Sequence, residues 1–154
     1  MTTPAQRIDK TDLLFSMVGL SRRWRQVLDA EFQTSGLTDA TWRPLLHLDL
    51  LGDGVRQKDL AASLGLEGPS LVRLLGTLVA KGLVARIEDE RDRRAKQLSL
   101  TDRGRAVVHQ IRAVVEELEE TLFASFDAAE LEQLTRFVAR LDASVHQIRG
   151  RSRG

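Results

Sequence analysis

Apolar residues recur at steps of three and four along most of this chain, and the places where that spacing fails divide it into elements. From about Asp12 to Gln33 the apolar set is Leu13, Met17, Leu20, Trp24, Val27 and then Phe32, one stripe of a long amphipathic helix. Ser35-Gly36 ends it, since glycine accepts the left-handed cap conformation. A second helix begins near Asp39, capped by Thr38 or Asp39, with Trp42, Leu45, Leu46 and Leu50 as its apolar set; Gly52-Asp53-Gly54 then turns the chain. A short helix from about Gln57 to Leu64 buries Leu60, Ala61 and Leu64, and Gly65 breaks it. Gly68-Pro69 opens a fourth helix, because a proline in the first turn gives up only an N–H that has no partner there. This helix is expected to bury Val72, Leu75, Leu78 and Val79 and to expose Ser70, Arg73, Thr77 and Lys81.

The period then shortens. Leu83-Val84-Ala85-Arg86-Ile87 and Leu98-Ser99-Leu100 alternate as strands do, and the segment between them holds no apolar residue larger than alanine. Two short strands around a charged tip make a β-hairpin, and the order helix, turn, helix, hairpin is that of a winged helix-turn-helix. Thr101 caps a fifth helix with Val108, Ile111, Val115, Leu118 and Leu122 on one stripe. Asp127 and Glu130 have capping-box spacing ahead of a sixth helix. There Leu131, Leu134, Val138, Leu141, Val145 and Ile148 follow steps of three and four over nearly three heptads. The basic, Gly-rich tail from Arg149 to Gly154 is expected to be disordered. The predicted fold class is therefore mainly α with a small β-hairpin wing.

Charge sharpens this picture. Residues 56–105 hold 11 basic and 7 acidic side chains, a net +4, whereas residues 1–55 and 106–154 come to −1 and −2. Local positive charge on a near-neutral chain is the footprint expected for a polyanion partner, although a solvated charged face explains such clusters as well. With no cysteine there is no disulfide, thiol nucleophile or thiol switch. No apolar run reaches the roughly 18–20 residues of a membrane span, and MTTPAQRIDK has no secretory h-region, so a cytoplasmic protein is expected. His47, His109 and His146 lie far apart, outside any metal-ligand spacing, and no phosphate-binding glycine loop or serine elbow occurs. Enzyme chemistry has no carrier here, and no cofactor or metal is expected.

Two constellations remain. On the fourth helix Ser70 can donate to a phosphate or base edge, and Arg73, one turn on, can reach a guanine bidentately. Read without context, they are equally ordinary surface residues. The hairpin tip gathers Arg91, Arg93, Arg94 and Lys96 with Glu88, Asp89, Glu90 and Asp92. Guanidinium groups fit the narrow, electronegative minor groove, and a carboxylate among them orients an arginine better than it meets phosphate. Asp92 is expected to do so, with Arg86 as partner. The apolar stripes of the first and last two helices exceed what one small winged helix can cover; a second copy, or an intrachain helical bundle, would cover them.

The runs Gly68-Pro69-Ser70-Leu71-Val72-Arg73, Lys81-Gly82-Leu83-Val84-Ala85-Arg86, Asp92-Arg93-Arg94-Ala95-Lys96 and Leu100-Thr101 resemble the MarR family, and within it the SlyA-like branch. Trp24-Arg25 and Leu37-Thr38 followed by Trp42 fit the same branch. The resemblance implies one domain over 1–154, with a winged helix-turn-helix at 37–104 and interlaced dimerisation helices at 12–35 and 105–148. Leu13, Met17, Leu20, Leu131, Leu134, Val138, Leu141 and Val145 would then form a homodimer interface. It implies a regulator, most simply a repressor, that binds double-stranded DNA at a pseudo-palindromic operator, and hence a bacterial protein that joins the nucleoid through that operator. Pro69, Ser70, Arg73 and Thr77 would face the major groove, and Arg93, Arg94 and Lys96 the wing and minor groove, with Arg86 and Asp92 bracing. It further implies a small aromatic carboxylate or phenolic effector, with Arg22 as anion partner and Trp42 and His47 lining its pocket; read from the residues themselves, Trp42 and His47 are core groups. A helical module that binds a protein through its wing is the alternative from another class.

Overall fold

The structure, a computed structural model, describes residues 9–88, 90–92 and 96–152. Six helices and three short strands follow in the order α1 (Lys10–Thr34), α2 (Asp39–Leu51), β1 (Val55–Arg56), α3 (Gln57–Leu64), α4 (Gly68–Ala80), β2 (Val84–Glu88), β3 (Lys96–Leu100), α5 (Asp102–Leu122) and α6 (Ala128–Arg151). The chain divides into two compact units, residues 1–115 and 116–154, with the division falling within α5.

In the first unit, the buried side chains come from every element. Leu28 and Phe32 of α1 are buried, as are Trp42, Leu45 and Leu48 of α2, and Phe32 packs on Trp42. Leu60 and Leu64 of α3, Leu71, Leu75 and Leu78 of α4, Val108 and Ile111 of α5, and Val84, Leu98 and Leu100 of the sheet are buried as well. Burying a leucine fully stabilises the fold by roughly 1.5–3 kcal/mol relative to exposure, so this cluster dominates the unit's stability. The expected α1 stripe is corrected at its C-terminal end: Leu28 and Phe32 are buried, whereas Val27 faces solvent. In α2, Leu50 is exposed while Thr41, Pro44 and Leu48 are buried. Stripes one residue apart share the same spacing, so periodicity alone could not choose between them.

The sheet has one more strand than the sequence pattern suggested. β1 pairs antiparallel with β3 (Val55 opposite Leu98), and β2 pairs with the other edge of β3 (Val84 opposite Leu100, Glu88 opposite Lys96), giving the order β1-β3-β2. A two-residue strand carries too little alternation to be recognised by pattern. The hairpin itself forms where expected.

In the second unit, α6 starts at the anticipated capping box. Asp127 Oδ1 accepts from the Glu130 amide at 2.8 Å, and Glu130 Oε2 accepts from the Asp127 amide at 3.0 Å. The helix continues through Arg151, into the segment expected to be disordered. None of its residues is buried, and Leu134, Val138, Leu141, Val145 and Ile148 form an exposed apolar seam.

Candidate nucleic-acid interface

The turn between α3 and α4 sets the aim of α4. Gly65 adopts φ +66°, and the Leu66 amide reaches back to the Ala61 carbonyl at 3.0 Å, closing α3 with a Schellman-type turn. Three residues later α4 begins, with Pro69 in its first turn and Glu67 as an N-cap that makes no side-chain cap bond. Glu67 therefore gives the first-turn amides no side-chain acceptor and leaves the positive end of the helix dipole uncapped.

Leu71, Leu75 and Leu78 turn inward and fix the rotation of α4. The outward face then carries Pro69, Ser70, Arg73 and Thr77, all exposed, as the sequence reading expected. Two expectations on this helix are corrected. Val72 and Val79 do not belong to the core: they are 50% and 37% exposed, and Leu71 takes the place assigned to Val72.

On the wing, Arg86 lies exposed on β2 and Lys96 exposed at the start of β3. Arg91 and Asp92 are exposed at the turn. Arg93 and Arg94, named as wing cations, lie outside the described residues.

The sheet is locked to α5 through Thr101, the expected cap of that helix, and through Gly104, which the sequence did not single out. The Thr101 hydroxyl donates to the Gly82 carbonyl at 2.6 Å and accepts from the Gly104 amide at 3.0 Å; the Thr101 amide donates to the Leu83 carbonyl at 3.1 Å. A Cβ on Gly104 would overlap the Leu83 carbonyl oxygen, so the helix and the start of β2 approach as closely as they do only because residue 104 is glycine. Arg105 adds bonds to the Leu100 carbonyl at 3.1 Å and to Asp53.

α2 holds the helix-turn-helix from behind. Arg43 donates to the Leu64 carbonyl at the end of α3 at 2.7 Å, and His47 Nδ1 pairs with the Ser63 hydroxyl at 2.7 Å. Burial, reinforced by the Arg43 charge, pushes the His47 imidazole below its usual pKa. At its ends α2 is tied to α1 through a bidentate Arg25–Asp39 pair and to α5 through Arg112–Asp49.

The three residues expected at a ligand pocket lie on α1 (Arg22) and α2 (Trp42, His47). Trp42 is a core residue at 3% exposure: its indole N–H donates to Asp29 at 2.8 Å and its ring packs on Phe32 with centroids 5.2 Å apart. His47 is half-buried against Ser63, and Arg22 is exposed on α1. Among the described residues no group of His, Cys, Asp or Glu could hold a metal ion, and no helix is long and apolar enough to cross a membrane.

Comparison with known proteins agrees with this arrangement. The MarR family model matches residues 35–95, which run from the end of α1 into the wing. The structure of transcriptional regulator PA3341 is 33% identical over 88% of this chain and 98% of its own, with a TM-score of 0.80. An S. aureus MepR–DNA complex is 28% identical over 90% of this chain and 99% of its own, with a TM-score of 0.68. The transcriptional regulator SlyA, at 20% identity over 88% and 95% with a TM-score of 0.74, shares the fold. With a winged helix in the matched segment and a regulator one-third identical over nearly its whole length, this chain belongs to the MarR family of transcriptional regulators.

Proposed function

We propose that this protein is a sequence-specific regulator of transcription that binds duplex DNA as a homodimer, one winged helix to each half of a pseudo-palindromic operator, and acts as a repressor by occupying it. One observation carries the proposal: the outward face of α4, with its uncapped N-terminus, presents Pro69, Ser70, Arg73 and Thr77 and has no duty in the core. An uncapped helix N-terminus favours a phosphate, and an arginine one turn on favours a guanine edge. MepR, of related sequence and fold, has been solved bound to DNA.

Lys96, Arg93 and Arg94 serve as wing cations, and Asp92 with Arg86 braces the wing; for Arg93 and Arg94 the support is the sequence. Placement in the SlyA-like branch rests on the run Asp92-Arg93-Arg94-Ala95-Lys96. The homodimer is supported by the apolar surfaces of α1, where Leu13 and Leu20 are exposed and Met17 half-buried, and of α6, where Leu134, Val138, Leu141 and Val145 are exposed and Leu131 half-buried. Long helices with a bare apolar stripe are marginal alone and need a partner surface. A small aromatic carboxylate or phenol that lowers DNA affinity completes the proposal, with Arg22 as its anion partner and Trp42 and His47 lining its pocket. Such a protein works in the cytoplasm, on the nucleoid.

Selection of genomic fragments on the purified protein tests the reading. Enrichment of a two-fold-related sequence is expected, with affinity falling roughly three to five orders of magnitude between about 50 and 200 mM salt if the dimer neutralises about 6–10 phosphates. A selection that enriches no sequence, together with a flat salt response, would instead favour a module that binds a protein partner.

A further inference from the structure

The exposed face of α4 is divided lengthwise. At 100° per residue, Val72 and Val79 lie on one flank of Arg73, and Ser70 and Thr77 on the other. Gly76, one turn after Val72 on the same flank, leaves open space where a side chain would stand. Val72 sits in the N-terminal half of the helix, beside Arg73 and half exposed; Val79 lies near the C-terminal end. Leu71, Leu75 and Leu78 already fill the inward face, so nothing in the core requires a valine at 72.

We infer that Val72 is a specificity-determining residue that selects thymine by packing against its C5-methyl group, in the step of the half-site next to the base pair met by Arg73. The inference rests on the DNA-binding reading above. The major groove offers hydrogen-bonding edges at every base pair but one apolar group, the thymine methyl. A recognition helix reads base edges mainly through its N-terminal residues, which favours Val72 over Val79. The bare flank at Gly76 lets the groove wall approach the valine closely. Arg73 and Val72 then read adjacent features by different chemistry, one through charge-assisted hydrogen bonds and the other through methyl burial.

The test uses the full-length protein and the duplex enriched by selection, with each thymine of one half-site replaced in turn by deoxyuridine, a change that deletes one methyl group. One replacement should weaken wild-type binding about fourfold, the value of burying one methyl. Val72→Ala should bind thymine and deoxyuridine equally at that step, while Val79→Ala keeps the wild-type difference. Circular dichroism confirms that both variants are folded. If no replacement weakens the wild type, or if Val72→Ala keeps the full difference, the inference is overturned while sequence-specific binding stands. If the wild type enriches no sequence at all, the DNA-binding reading fails and this inference falls with it.

Discussion

Gly104 and His47 show how single residues hold the frame on which a reading helix depends. In an ordinary helix, replacing glycine by alanine stabilises by about 0.5–1 kcal/mol. At position 104 the added methyl meets the Leu83 carbonyl, so Gly104→Ala should instead destabilise, by about 1–3 kcal/mol as overpacking does. Urea unfolding gives the sign directly, and a stabilised variant would refute the close approach. His47 makes a pH prediction. Its folded-state pKa lies below the usual value, so above about pH 6.5 both folded and unfolded chains carry a neutral imidazole. As the pH falls, the unfolded chain takes up the proton first and stability is lost as the folded pKa is approached. His47→Gln keeps a polar partner for Ser63 and removes the titration, so its stability should fall less between about pH 7 and 5 than that of the wild type; parallel profiles would contradict this. Residue types alone told little about either role. A glycine inside a helical stretch gives no hint of the carbonyl it meets, and a lone histidine gives none of the hydroxyl it will find on another helix.

At the level of elements, most of the molecule was legible. Gly65, Gly68-Pro69 and the Asp127/Glu130 pair are local signals with local causes, and the helix boundaries they predict agree with the structure to within a residue or two. What failed was rotation: the inward stripes of α1, α2 and α4 each include or omit a residue that the spacing left undecided. Which leucines face inward depends on neighbouring elements, as at Val72 and Leu71, where both fit a step of three or four to Leu75. β1 escaped because two residues cannot show a period. The capping box provides the test at this scale. Asp127→Ala removes the side-chain acceptor of the Glu130 amide and should lower stability by about 0.5–2 kcal/mol, with fraying confined to the first turn of α6 in hydrogen exchange. Uniform loss of protection along the helix would count against a purely local cap.

At the scale of the whole molecule, the proposed homodimer covers the apolar faces of α1 and α6. A helix of 24 residues with none buried and a bare seam from Leu134 to Ile148 is not expected to persist unaccompanied in water. A homodimer makes the apparent melting temperature rise with protein concentration, and Val138→Glu should abolish that dependence and shift the chain to monomer in sedimentation. A concentration-independent melting temperature in the wild type would instead mean that the seam is covered within one chain. The heptad in α6 was plain in the sequence; the surface it meets was not, because a seam names its own face and not its partner. In the proposed function α4 reads base edges through Arg73. The affinity of wild type and Arg73→Ala for the selected duplex and for a scrambled one, at a single salt concentration, tests it most directly. Loss of about 1–3 kcal/mol of discrimination, with weaker but persistent binding to both duplexes, is the predicted result. An unchanged ratio between the two duplexes would contradict it.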